Sequence, residues 1–235
     1  MTTTVTLDRL LSETYAVLLD FDGPVCSVFA GFPATTVTHQ LRQRLADFGA
    51  PMTDAVRAET DPLAVLQWTA RLGHEAVRRI EDELRTAELV AVADAAPTPW
   101  SHEFIKLVRA AGRPLAIVSN NSEAAVRAYL EQHGLTRYVG AVVGRAYADP
   151  ARMKPNPEPV LAALDLLHAR QLPAVLIGDS VTDVEAARRA GVRSIGHANR
   201  EGKRARLLAA GADAVAEEPD AMRQLIDALC NALPN

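Results

Sequence analysis

Residues 15–25 read YAVLLDFDGPV. A nearly unbroken apolar run, residues 15–19, ends in two carboxylates, Asp20 and Asp22, with Gly23 behind them. A short apolar run without polar alternation is how a parallel strand buried on both faces reads. Residues two apart in a strand face the same way, and at a strand end the chain is turning, so both carboxylates can approach one point. Asp is depleted in strands, and two carboxylates about 4 Å apart repel by roughly 4 kcal/mol at an effective dielectric of 20. A cation or a shared proton must offset that repulsion. Taken alone, the pair is equally well a helix cap or an Asp-Gly turn.

Working outward, similar runs recur at residues 115–118, 139–143, 174–177 and 192–195, with a weaker one at 214–215. Helical segments lie between them. Trp100, Phe104, Leu107 and Val108 fall at helical spacing before Gly112. Ser122 can cap a helix over 123–133 that stops at Gly134, and Val160, Leu161, Leu164 and Leu167 stripe another after Pro157. Strand and helix in alternation imply an α/β fold, a Rossmann-like open parallel sheet with helices on both faces and right-handed crossovers.

Between Gly23 and about Pro97 the alternation breaks and no strand is expected. Val37, Leu41, Leu45 and Phe48 form one helical stripe, and Ala76, Val77, Ile80 and Leu84 form another. Asp61-Pro62 reads as an N-cap with proline at the first helical position, opening a helix through Leu72. The expected organisation is an α/β core of residues 1–23 and 98–235, interrupted by an all-helical cap over 24–97. Such an insertion overhangs the carboxyl end of the first strand, where open α/β sheets bind ligands, and can serve as a lid.

Residues 174–191, AVLIGDSVTDVEAARRAG, repeat the acidic pattern. Asp179 follows an apolar run and Gly178, and Asp183 stands near the start of the next helix. Capping alone accounts for Asp183 but not for all four acids. If the two strands are neighbours, the carboxylates converge into an oxygen set that suits Mg²⁺. LAIVSNN places Ser119 at another strand end, where a hydroxyl and backbone N–H groups can hold a phosphate oxygen. Lys154 sits in the proline-rich loop RMKPNPEPV, a positive charge fixed near the acids. Four ionised acids against Lys154 and one Mg²⁺ leave a charge of −1 before any phosphate arrives, so one acid carrying a proton relieves the site. A nucleophilic carboxylate, a protonated one and a metal are the ingredients of phosphoryl transfer through an aspartyl-phosphate.

Composition bounds the alternatives. With 235 residues, 49% of them hydrophobic, the chain holds one or two domains with a substantial core. A formal net charge of −4 and 5% aromatics argue against a nucleic-acid binder relying on a basic face or a stacking platform. Cys26 and Cys230 form no disulfide framework and suit a reducing compartment. The stretch MTTTVTLDRLLSE has no basic leader or apolar run, and no stretch approaches the roughly 20 apolar residues of a membrane span. A cytoplasmic protein is expected, with oligomeric state open.

The four motifs in this order, DFDG at 20–23, Ser119 in IVSN, Lys154 in KPNPEP and GDSVTD at 178–183, resemble the haloacid dehalogenase-like hydrolase superfamily, and the insertion is similar to the helical cap of its phosphoglycolate phosphatase-like members. The resemblance implies Asp20 as nucleophile and Asp22 as general acid, then base. Ser119 and Lys154 would hold the phosphoryl group, with the backbone around Phe21 and Asn120. Mg²⁺ would sit on Asp20, the backbone carbonyl of Asp22, and Asp179, with Asp183 acting directly or through water. The Lys154-Pro155 bond can be cis in such relatives. A second motif Asp, here Asp22, favours phosphate esters over halides. Residues 25–96 contain no Lys, against a phosphonate-cleaving enzyme, which uses a cap lysine. Pro24-Val25-Cys26 departs from the family pattern.

The leading expectation is a Mg²⁺-dependent phosphatase for a small phosphorylated metabolite. A phosphomutase on the same scaffold, a phospho-accepting signalling domain and a catalytically idle binding partner are the alternatives. Arg42, Arg44, Arg57, Arg71, His74, Arg78 and Arg79 are candidate partners for an anionic substrate, most of them expected on solvated helix faces. Trp68 and Phe48 are expected in the core, and Cys26 as a packing residue.

Overall fold

The computed structural model describes residues 6–232; residues 1–5 of the N-terminal stretch discussed above, and 233–235, lie outside it. The chain forms α1 (Leu7–Ser12), β1 (Ala16–Leu19), β2 (Cys26–Ser27), α2 (Ala34–Asp47), α3 (Asp54–Ala58), α4 (Pro62–Thr69), α5 (His74–Ala93) and β3 (Ala96–Pro97). It continues through α6 (Ser101–Ala110), β4 (Leu115–Val118), α7 (Glu123–Gln132), β5 (Ala141–Val143), α8 (Glu158–Leu166) and β6 (Ala174–Gly178). Last come α9 (Val181–Arg189), β7 (Arg193–Ala198), α10 (Lys203–Ala210), β8 (Ala214–Glu217) and α11 (Ala221–Asn231).

Six strands make one parallel sheet in the order β5-β4-β1-β6-β7-β8. Every residue of β1, β4 and β6 is buried, which explains their unbroken apolar character. Alternate residues serve opposite faces. Val17, Leu19, Ile117 and Ile177 pack with residues of α1, α6, α7 and α11, while Leu18, Val118 and Leu176 pack with residues of α8 and α9. The chain adds β4 and β5 on one side of β1, then crosses back to add β6, β7 and β8 on the other. A crevice therefore opens at the carboxyl ends of the central strands, the usual ligand position in such sheets.

Helices α2 to α5 occupy the interval between β1 and α6. Val37, Leu41, Leu45, Val65, Leu66, Val77, Ile80 and Leu84 form a hydrophobic cluster of their own. Asp61 caps α4 as its sequence suggests, its Oδ1 accepting from Leu63 N at 2.9 Å. The interval is not purely helical, however. β2 and β3 pair antiparallel, Cys26 opposite Pro97 and Ser27 opposite Ala96, where the chain leaves and rejoins the core. Two-residue strands carry no readable periodicity. Thr98 Oγ1 donates to Gly23 O at 2.5 Å and Ser101 Oγ to Val25 O at 2.8 Å, locking the same crossing.

The core expectation for Phe48 fails, and the helical spacing that begins at Trp100 starts one residue before its helix. Trp100 precedes α6 with φ 66° and is 44% exposed, its ring under the Arg223 guanidinium at 5.1 Å. Phe48 follows the last turn of α2 and is exposed beneath Arg79, 4.9 Å from its guanidinium carbon. Both continue an apolar spacing past the end of a helix, where the spacing no longer fixes direction. Among the described residues no helix is long and apolar enough to cross a membrane.

Leu45→Ala should lower the unfolding free energy by about 2–5 kcal/mol by opening a cavity, whereas Phe48→Ala should cost roughly 1 kcal/mol or less. Urea unfolding of the two variants checks the contrast, and equal losses would contradict the assignment of Phe48 to the surface.

Candidate active site

The β1 end sets the geometry. Asp20 N still donates to Ile177 O at 2.8 Å, so its carboxylate emerges with the sheet's own rigidity. Phe21 turns into the core, edge-on to Tyr129 at 5.2 Å. Asp22 comes next, its Oδ1 accepting from Val28 N at 3.0 Å. Gly23 has φ 108°, and a Cβ there would lie 2.6 Å from Asp179 Cγ, so glycine is required on two counts.

The β6 end supplies the second pair. Ser180 and Asp183 form a reciprocal cap on α9, with Asp183 N 3.2 Å from Ser180 Oγ and Ser180 N 3.0 Å from Asp183 Oδ2. Asp183 is thus a cap and a site residue at once, because its other oxygen lies 2.5 Å from Lys154 Nζ. Lys154 is buried, and Nζ also donates to Asp20 Oδ1 at 2.7 Å and to Val118 O at 2.8 Å. Its bond to Pro155 is cis. Asn120 braces it, accepting from Lys154 N at 2.9 Å and donating to Lys154 O at 3.1 Å. Ser119 stands at the end of β4, its N–H on Val143 O at 2.9 Å and its hydroxyl held between Asn121 N and Asn121 Oδ1 at 3.0 and 3.1 Å.

Asp20, Asp179 and Asp183 each offer an oxygen within 4.8 Å of the others. The Asp22 carboxylate is not part of that trio. Burial and the nearby Asp183 push Asp20 well above the usual carboxylate range, against the pull of Lys154. Burial pushes Asp22 up to about 6, against its bond from Val28 N–H. Burial also raises Asp179 despite Lys203. Although burial favours the neutral amine, Asp183 and Asp20 hold Lys154 above its ordinary value. This is a carboxylate-rich, largely dehydrated set whose charged form a divalent cation would stabilise, and the all-oxygen donors suit Mg²⁺. Burial raises the Cys26 thiol as well, which leaves it a packing residue.

Several site residues carry no sequence signal. Lys203, at the start of α10, pairs with Asp179, and Asn199 Nδ2 donates to the same oxygen at 3.1 Å. With Lys203 counted, the four acids, two lysines and one divalent cation sum to zero rather than −1. Knowing that β7 lies beside β6 would have drawn attention to the loop after it. The cleft over the acids has a volume of about 550 Å³. The helical interval contributes Asp61, Leu63, Ala64 and Gln67 to its lining, and Arg200 and Arg206 flank Lys203. None of the seven candidate basic residues of that interval lines it. Arg44 pairs with Glu83, and Arg78 and Arg79 with Glu75, on solvated faces.

Lys154→Met leaves buried carboxylates without their cation and should cost about 3–5 kcal/mol of stability at neutral pH. Asp20 binds a proton more readily folded than unfolded, so acidification favours the folded variant and the deficit should shrink as pH falls. Urea unfolding at two pH values measures this; a deficit that widens on acidification contradicts it.

A family model for haloacid dehalogenase-like hydrolases matches residues 15–191. The chain is 30% identical over 231 residues to a plasmid phosphoglycolate phosphatase of Cupriavidus necator, covering 90% of this chain and 92% of that protein. It is 31% identical over 191 residues to a phosphoglycolate phosphatase of Rhodospirillum rubrum, covering 75% and 76%. A HAD family hydrolase from Deinococcus radiodurans, solved with bound phosphate and sodium, superposes with a TM-score of 0.62 at 25% identity over 94% of this chain and 97% of that one. CbbY from Rhodobacter sphaeroides, solved with phosphate, gives 0.67 at 20% identity over 92% and 99%, a likeness of fold. The order of motifs, the sheet that carries them and the matched relatives agree, and the chain belongs to the haloacid dehalogenase-like hydrolases.

Proposed function

We propose that the protein is a Mg²⁺-dependent phosphatase that hydrolyses a small phosphate monoester through an aspartyl-phosphate on Asp20. The observation that carries this reading is the convergence of Asp20, Asp179 and Asp183 at the carboxyl ends of β1 and β6, with Asp20 and Asp183 sharing one buried lysine. The names of the two relatives above support phosphate monoesters as the substrate class.

In this reading an Asp20 oxygen attacks phosphorus and the bond to the leaving oxygen breaks. Asp22, whose burial keeps it protonated up to about pH 6, delivers its proton to that oxygen. Asp22 then takes a proton from the water that attacks phosphorus, and phosphate leaves with Asp20 regenerated. Lys154 offsets charge on the phosphoryl oxygens, while the Ser119 hydroxyl and the backbone N–H groups around Phe21 and Asn120 hold them. Bound to Asp20, Asp179, Asp183 and the Asp22 carbonyl, Mg²⁺ would screen the negative charge that otherwise repels a phosphate dianion. Residues 24–97 act as a cap over the cleft, with α4 presenting Gln67 and Leu63 to the ester's organic part. Two free cysteines and the net charge of −4 fit a cytoplasmic enzyme that handles metabolites rather than nucleic acid.

Wild-type protein with Mg²⁺ should release phosphate from members of a small-ester panel, chelation should stop it, and Asp20→Asn should lose on the order of a thousandfold or more. An inert wild type, or sugar phosphates isomerised without free phosphate, would overturn the reading. Asp22→Asn should lose about 10²–10⁴-fold on an alkyl phosphate, which needs a proton on its leaving oxygen, and far less on acetyl phosphate, which does not. Equal losses on both would remove Asp22 from the acid role.

A further inference from the structure

The most heavily charged buried cluster outside the catalytic acids joins α5 to the core. Arg145, just after β5, has its side chain fully buried between two equally buried α5 carboxylates. Its Nε lies 2.9 Å from Glu81 Oε2 and its Nη1 2.8 Å from Glu88 Oε1. The cluster does not end there. Arg145 Nη1 donates to Asn120 O at 2.7 Å, and Arg145 N to Asn121 O at 2.8 Å. Glu88 accepts from Ser122 N at 2.9 Å and from Asn121 Nδ2 at 3.3 Å.

We infer that Glu88 is a positioning residue for the phosphate cradle, acting through Asn121 on the placement of the Ser119 oxygen, whose one proton rests on Asn121 Oδ1 in the free site and turns to a phosphate oxygen on binding; this rests on the phosphatase reading above. The Glu88 carboxylate meets only donors, so the Asn121 amide must turn Nδ2 toward it. That places Oδ1 against the Ser119 hydroxyl, while Asn121 N holds the same oxygen from the other side. Reversing the amide would set acceptor against acceptor at Glu88 and strip Ser119 of its acceptor. Apolar packing would hold α5 on the core without the desolvation cost of three buried ionic groups, so the charge serves orientation. The acid that fixes the cradle thus comes from the segment that covers the cleft.

Glu88→Gln keeps the volume but must leave an NH₂ facing donors. It should raise the inhibition constant of inorganic phosphate and the KM for p-nitrophenyl phosphate about tenfold. The deciding readout is a double-mutant cycle with Ser119→Ala: the Glu88→Gln effect should shrink to within about twofold once the hydroxyl is gone. Asn121→Ala, which keeps every ion pair of Arg145, should behave the same way, and its cycle decides if Glu88→Gln does not fold. An effect that multiplies undiminished onto Ser119→Ala, or no change in KM or phosphate inhibition, overturns the inference while the phosphatase reading stands. An inert wild type overturns both.

Discussion

One buried ammonium holds the carboxyl ends of three strands together. Lys154 Nζ reaches Asp20 after β1, the Val118 carbonyl at the end of β4, and Asp183 beyond β6. Removing that charge from water costs several kcal/mol, and only close, well-satisfied partners return it. The partners are also the groups that need a cation, because burial and mutual repulsion press against the ionised carboxylates. Stability and reactivity share one arrangement here. In the proposed reaction, the ion that lets Asp20 exist as a buried nucleophile also lowers the barrier for an anionic substrate to approach it.

From that point the rest of the architecture can be read as support. The parallel sheet fixes Asp20 and Ser119 through main-chain bonds to neighbouring strands. Gly23 and Gly178 are small because Asp179 and Asp183 pack against them. Asn120 braces the Lys154 backbone, and Arg145 braces Asn120. The helical interval is bound into this scheme by α5, whose Glu81 and Glu88 lie seven residues apart and so on one face. Its helix α4 and the cap of that helix offer the cleft Asp61, Leu63, Ala64 and Gln67 rather than the arginines the interval's composition advertises.

The strands were legible because burial on both faces writes an unbroken apolar run, and the acids of the candidate site because an Asp at the end of such a run opposes local propensity. Lys154 was legible from its proline loop. What stayed hidden depends on tertiary placement. Lys203 and Arg145 look like ordinary helix or loop cations until the sheet order is known. Glu81 and Glu88 carry no mark of burial in the sequence, because periodicity gives spacing without saying which face meets the core. Phe48 was misplaced for the same reason at a helix end, and β2 and β3 are too short to mark the sequence.

The central claim is that Asp20 carries the phosphoryl group. Acid quenching during turnover of a phosphate ester with Mg²⁺, followed by peptide mapping by mass spectrometry, tests it directly. The peptide containing Asp20 should carry the mass of one phosphoryl group, labile to hydroxylamine as an acyl phosphate is. Steady phosphate release with that peptide unmodified at every quench time, or with the label on another residue, would contradict it.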